Sequence, residues 1–320
     1  MASKTSSTNS STPVQSDLPQ FVKDRIPSID LFDSYVPRVL PSGLTDVDTL
    51  VSYYFDTNPE TGSVSHTSVR LEGPTGAGKT HLIEAVAAKL QIPLWTIPGK
   101  GDSNTRSLYG GVTEVLEADG TTRLEFGYGI LPLWASFGGL LYLDEDNFVD
   151  PSITGALHPV LDYRKELLVD GHYVPQTSPD GSVRYVEEVL KVSPDGWVLG
   201  ASNPGYIGTQ QHNQAFRNRF QPLKITYDRA VESTFVPSSV LNLAAAIRAA
   251  KDSIWSPFGT NRLIAFHKDI TRRGYDHAVY ALLSYFEDEE AVVVENLLRD
   301  SYEHEICTQY GIIDSVEPTV

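Results

Sequence analysis

Gly73, Gly78, Lys79 and Thr80 stand in the stretch GPTGAGKT with the spacing of a phosphate-binding loop. A glycine-rich turn, here Gly73, Pro74, Thr75, Gly76, Ala77 and Gly78, lets the backbone N–H groups of its residues other than proline close around phosphate oxygens, and the helix that follows aims its positive end at them. Lys79 would add a mobile positive charge on the outer phosphates, and Thr80 a hydroxyl ligand for Mg2+. The pattern alone leaves three readings open: nucleotide is hydrolysed, is merely held, or the match is accidental.

Hydrolysis needs a second anchor for the metal and a group that orients water. Asp144 and Glu145 end the apolar run GLLYLDE. Asp144 would face the phosphate loop if its strand lies beside the first, and could hold magnesium through water. Glu145 is then the general base or water-positioner. Asn203, in ASNPGY, would sit between these elements and bond the attacking water or the γ-phosphate; the local alternative is an Asn-Pro turn. Arg217 and Arg219, in FRNRF, cannot both face one phosphate from a helix. Either could reach a neighbouring subunit's nucleotide as an arginine finger, worth about 10³ to 10⁵ in rate. Arg262, in GTNRL, could read the same nucleotide from a C-terminal lid. His158, His172 and His212 lack ligand spacing and are assigned to no metal. Asp146 and Asp150 read as solvated neighbours of the acid pair, and Trp95, Trp134 and Trp197 as core.

These residues need a scaffold of alternating strands and helices, the pattern of a parallel sheet with crossovers. SVRLE (68–72), IPLWTI (92–97), GGLLYLDE (138–145), GWVLGASNP (196–204) and PLKITY (222–227) read as its strands, and THLIEAVAAKL (80–90) as the helix after the phosphate loop. Two β excursions interrupt it: a hairpin at 112–129 turning on Asp119-Gly120, and a longer one at 167–192 around Pro179-Asp180-Gly181. Past about 232 only helical periodicity remains. The expected organisation is a disordered tail at 1–20, an α/β nucleotide-binding domain at 21–230 and a small all-helical lid domain at 231–320.

The 320 residues are 41% hydrophobic, enough for such a core and a small second domain. A net charge of −16 argues against indiscriminate nucleic-acid binding. The single cysteine, Cys307, excludes a disulfide framework or a cysteine metal site. With no apolar run of about 18 residues and no apolar signal region at the N-terminus, the expected location is the cytoplasm, without membrane insertion.

Together, GPTGAGKT (73–80), LYGG (108–111), GYGILPLWASFGGLLYLDED (127–146), HPVLDYR (158–164), SNPGY (202–206), RNRF (217–220) and GTNRL (259–263) resemble the AAA+ ATPases of the MoxR type. HPVLDYR and NPGY are most similar to the CbbQ, NirQ and NorQ group, with gas-vesicle GvpN as a cousin. The resemblance implies a P-loop AAA+ core, a homo-hexameric ring with ATP and Mg2+ at subunit interfaces, and work on a client protein complex beside a partner bearing a von Willebrand A domain. It makes Gly73 to Thr80 the Walker A loop, Asp144 and Glu145 Walker B, Asn203 sensor 1, Arg219 the finger with Arg217 its competitor, and Arg262 sensor 2. The longer 167–192 excursion and the stretch from about 300 depart from the family pattern.

Two function classes follow: an ATP-driven remodeller that activates or assembles a partner complex, and a nucleic-acid-associated motor or phage-encoded assembly or DNA-processing ATPase. Net charge and the lack of a basic tract with interleaved aromatics oppose the second. A nucleotide-locked scaffold is a weaker third, because every hydrolytic position holds a competent residue.

Overall fold

The computed structural model describes residues 18–57, 62–99, 105–149, 151–203 and 214–312. The expected tail lies almost wholly outside them, as do Asp150 and His212. The chain forms two compact units. The first comprises residues up to Tyr35, Val47–Leu71 and Thr80–Leu223; the second comprises Val36–Asp46, Glu72–Lys79 and the chain from Lys224 onward.

The first unit is built on a central parallel sheet. Its strands are β1 (Val69–Glu72), β2 (Leu94–Pro98), β5 (Gly139–Asp144), β8 (Gly196–Ser202) and β9 (Gln221–Lys224), in the order β2-β5-β8-β1-β9. β5 is apolar on both faces and buried from Gly139 to Leu143, as expected of a strand flanked on two sides by crossover helices. β8 separates β5 from β1, so Asp144 does not stand on the strand next to the phosphate loop. The fifth strand also begins and ends earlier than PLKITY suggested.

Trp95, Trp134 and Trp197 are buried in this core, as expected. Each indole N–H finds a carbonyl: Gly138 at 2.9 Å, Gly139 at 2.9 Å and Thr67 at 2.8 Å respectively. An unpartnered indole would make such burial costly. The helix after the phosphate loop runs Lys79–Leu90.

Both β excursions are antiparallel hairpins. β3 (Gly110–Leu116) pairs with β4 (Thr122–Tyr128), and β6 (Glu166–Thr177) with β7 (Val183–Lys191). Asp119 and Asp180 close the two turns by accepting from the backbone N–H two residues on, at 2.9 and 3.0 Å. The hairpins touch through four side chains. The Tyr128 hydroxyl donates to Glu188 Oε2 at 2.6 Å, His172 Nδ1 lies 2.9 Å from the same oxygen, and the His172 ring stacks on Phe126 at 4.2 Å. His172 therefore fastens one hairpin to the other.

The second unit is helical from Ser238, with helices at Ser238–Ala249, Thr260–Arg273, Tyr275–Leu283, Asp288–Leu297 and Glu303–Tyr310 and a π-turn at Leu298–Tyr302. The stretch past 300 that matched no family pattern contributes Ile306 and Cys307 to this unit's core. Glu290 is fully buried there and accepts from Trp255 N (2.6 Å), Ser256 N (2.6 Å), Ser256 Oγ (2.6 Å) and Glu287 N (3.2 Å). Burial raises its pKa, but these donors outweigh it and leave the carboxyl below its ordinary value. A depressed folded pKa contributes stability above the unfolded value that is lost as pH falls through the folded one. Glu290→Ala should lower stability by about 3 kcal/mol at neutral pH, by leaving buried donors unmade. The deficit should shrink on acidification, as read by thermal melting across pH.

Candidate active site

Within the second unit, the phosphate loop holds two glycines in the left-handed region, Gly76 at φ 73° and Gly78 at φ 84°. A Cβ on Gly73 would fall 1.8 Å from Ile225 O, and one on Gly76 2.6 Å from Asn261 Oδ1. Only glycine fits at these positions, and the resulting bare-backbone cradle suits a chain of phosphates. Lys79 is 8% exposed and folds back over the loop, donating to Gly73 O at 2.8 Å and Pro74 O at 2.9 Å.

Three contacts brace this loop. The Tyr227 hydroxyl donates to Thr75 O at 2.8 Å. Thr260 N donates to Gly76 O at 3.1 Å, which docks the GTNRL segment on the loop. Arg38, paired with Asp46 at 3.2 Å, donates to Ala77 O. Arg262 is exposed, its guanidinium 4.2 Å above the Tyr285 ring.

In the first unit the chain resumes with Thr80. Thr80 Oγ1 lies 3.1 Å from the Tyr142 hydroxyl, which donates to Asp144 Oδ1 at 2.5 Å. Tyr142 and Asp144 are two residues apart on β5, so strand alternation puts them on one face. Burial, then the bond to Asp144, pushes the Tyr142 phenol well above its usual pKa, so it stays a donor. Thr80 and Asp144 thus share one hydrogen-bond bridge and offer hard oxygens, the donor set Mg2+ takes. The residues present fit that ion.

Glu145 diverges from its neighbour. It sits at φ 48°, ψ 53°, a left-handed conformation uncommon for a side chain of its size. Its exposed carboxylate accepts from Asn203 Nδ2 at 3.1 Å, and Asn203 is 5% exposed. Asp146 is not solvated, contrary to the sequence reading. It is fully buried and paired with Arg70 of β1, Nε to Oδ2 at 2.6 Å and Nη2 to Oδ1 at 2.7 Å.

The two candidate finger arginines differ. Arg217 ends the helix Gln214–Arg217 and is exposed. Arg219 is half-buried, and its Nη1 donates to Ala215 O at 2.5 Å. His158, its pKa lowered first by burial and next by Arg219, lies beside it. Asp162, held down to about 2 chiefly by hydrogen bonds from Arg164, also feels Arg219. Among the described residues no group of three or more His, Cys, Asp or Glu side chains could hold a metal ion, so the Mg2+ candidates are the Thr80 hydroxyl and the Asp144 carboxylate.

Sequence reasoning missed Arg38, Arg70, Tyr142 and Tyr227. Two of them left a trace: an arginine in the short buried strand VRLE, and a tyrosine two positions before Asp144 in LLYLDE. Arg38 and Tyr227 gave none, because only the tertiary fold brings them to the loop.

A phosphate loop after β1, an acid pair after β5 and an asparagine after β8 define an ATPase domain of the phosphate-loop class. Residues 68–220 match the AAA domain (dynein-related subfamily). An uncharacterized protein of Staphylococcus epidermidis is 34% identical over 160 residues, 50% of this chain and 56% of its own length. One from Staphylococcus aureus aligns with the same identity and extent. The chain thus spans about half the length of the curated relatives it matches. Among solved structures, NtrX from Brucella abortus overlays 80% of this chain and 49% of its own, at a TM-score of 0.36 and 15% identity.

Removing the Tyr142 hydroxyl should disturb the bridge without opening a cavity. Tyr142→Phe should raise the Mg2+ concentration needed for half-maximal ATP turnover by about 10-fold, as lost outer support of metal ligands does. A Mg2+ titration of ATPase rate at saturating ATP reads this directly.

Proposed function

We propose that this chain is an ATP-hydrolysing remodeller that activates or assembles a partner protein complex, working as a ring of MoxR type. The observation that carries the hydrolytic half is the split of the acid pair: Asp144 is bridged to Thr80, while Glu145 is turned to Asn203. One carboxylate is set for the metal and the other left for water.

In this reading the loop N–H groups and Lys79 bind the phosphates of ATP. Thr80 would hold Mg2+ directly and Asp144 through water; when bound, the ion neutralises charge that develops on the transferred phosphoryl group. Water attacks the γ-phosphorus, the bond to the β-γ bridging oxygen breaks, and ADP and phosphate result. Glu145 takes the water's proton, with Asn203 fixing its carboxylate. Arg217 or Arg219 of a neighbouring protomer supplies the finger, and Arg262 reads the nucleotide from the helical segment.

The MoxR resemblance supports the remodelling half, with the CbbQ, NirQ and NorQ group as its model, a homo-hexamer as the assembly, and a von Willebrand A-domain protein and a client complex as partners. A net charge of −16 disfavours the nucleic-acid motor. No helix among the described residues is long and apolar enough to cross a membrane, in keeping with work in the cytoplasm.

Glu145→Gln should bind ATP with parental affinity while turnover falls by about 10²-fold or more, the scale of a lost positioned base. Parental turnover per protomer should rise with protein concentration as neighbours supply the finger. Turnover by Glu145→Gln at the parental rate would remove the base assignment, and DNA-stimulated turnover at low salt would favour the motor.

A further inference from the structure

Asp146 and Arg70 form an ion pair that the hydrolytic reading does not use. Asp146 follows β5 and Arg70 lies on β1, with β8 between those strands. The pair crosses β8 at Gly200, where a Cβ would lie 2.9 Å from Asp146 Oδ2 and 3.7 Å from Arg70 Cγ. Glycine at that point leaves room for the bridge. Both groups are taken out of water, Arg70 to 8% exposure and Asp146 to none, and the contact is bidentate. Bidentate guanidinium–carboxylate pairs fix orientation as well as distance.

The pair bears on Glu145 because of what adjoins it. Glu145 is left-handed, and the next three residues form the short 3₁₀ turn Asp146–Phe148. Phe148 N donates to Glu145 O at 2.8 Å, and Val149 N to Asp146 O at 3.0 Å. On its other side, Glu145 O stands 2.2 Å from where a Cβ on Gly99 would be. An unfavourable backbone conformation persists only where its surroundings over-determine it.

We infer that Arg70 and Asp146 are positioning residues for ATP hydrolysis: their ion pair across Gly200 holds the turn after β5 so that Glu145 stays left-handed and its carboxylate meets Asn203. Neither touches the nucleotide. This inference rests on Glu145 acting as the base. It differs from a purely structural role, which would lower stability without singling out the chemical step.

The test is a double-mutant cycle on the full chain, reading kcat, KM and fluorescent-ATP affinity at a temperature where each variant is folded. Arg70→Met should lower kcat by about 30-fold, since a base displaced by near 1 Å costs up to about 10²-fold. KM and ATP affinity should stay within about threefold, the signature of an interaction expressed only in the transition state. Arg70→Lys should recover part of kcat. In the Glu145→Gln background, Arg70→Met should cost nothing further, because the group it positions is gone. If Arg70→Met does not fold, Asp146→Asn is read by the same criteria. A kcat within about threefold of the parent, or an equal fractional loss in both backgrounds, overturns the inference. Parental turnover by Glu145→Gln alone would instead overturn the base assignment beneath it.

Discussion

Two consecutive carboxylates cannot do two jobs unless the chain separates them. Asp144 closes β5 in extended geometry and is tied to Tyr142 and through it to Thr80. Glu145, one peptide on, turns into the left-handed region and meets Asn203. That break in backbone direction costs about 1–2 kcal/mol for a residue with a Cβ. It persists because the residues around it are fixed by burial and by the Arg70–Asp146 pair. In the proposed function the site depends on this turn, which parts the metal-facing Asp144 from the base Glu145.

The sheet order gives the turn its surroundings. With β8 between β5 and β1, the end of β8 lies beside the acid pair and delivers Asn203 there. The same strand supplies Gly200, whose missing side chain lets Arg70 reach Asp146. The phosphate loop is shaped by a comparable constraint: Gly73 and Gly76 are glycine because Ile225 and Asn261 occupy the space a Cβ needs. In both places bare backbone allows functional groups to approach.

Much of this was legible in the chain. Apolar runs ending in polar residues marked β5 and β8, Asp-Gly pairs marked both hairpin turns, and glycine spacing marked the phosphate loop. What stayed hidden depends on strands distant in sequence becoming neighbours. Asp146 read as solvated because its partner lies on β1, far back in the chain, and nothing local signals the pairing. Whether the strand of Asp144 lies beside the first stays open in the sequence, because sequence patterns identify strands without their order. Arg70 was the missed opportunity: a charge inside a four-residue buried strand demands a partner.

In the proposed site, Thr80 and Asp144 converge on one cation while Glu145 and Asn203 flank the terminal phosphate of ATP. A crystal structure with Mg2+ and a non-hydrolysable ATP analogue tests it most directly. The account predicts a cation ligated by Thr80 Oγ1, with Asp144 in its hydration shell and Glu145 still left-handed against Asn203. Nucleotide bound with the cation away from both oxygens, or with Glu145 in another backbone conformation and parted from Asn203, would contradict it.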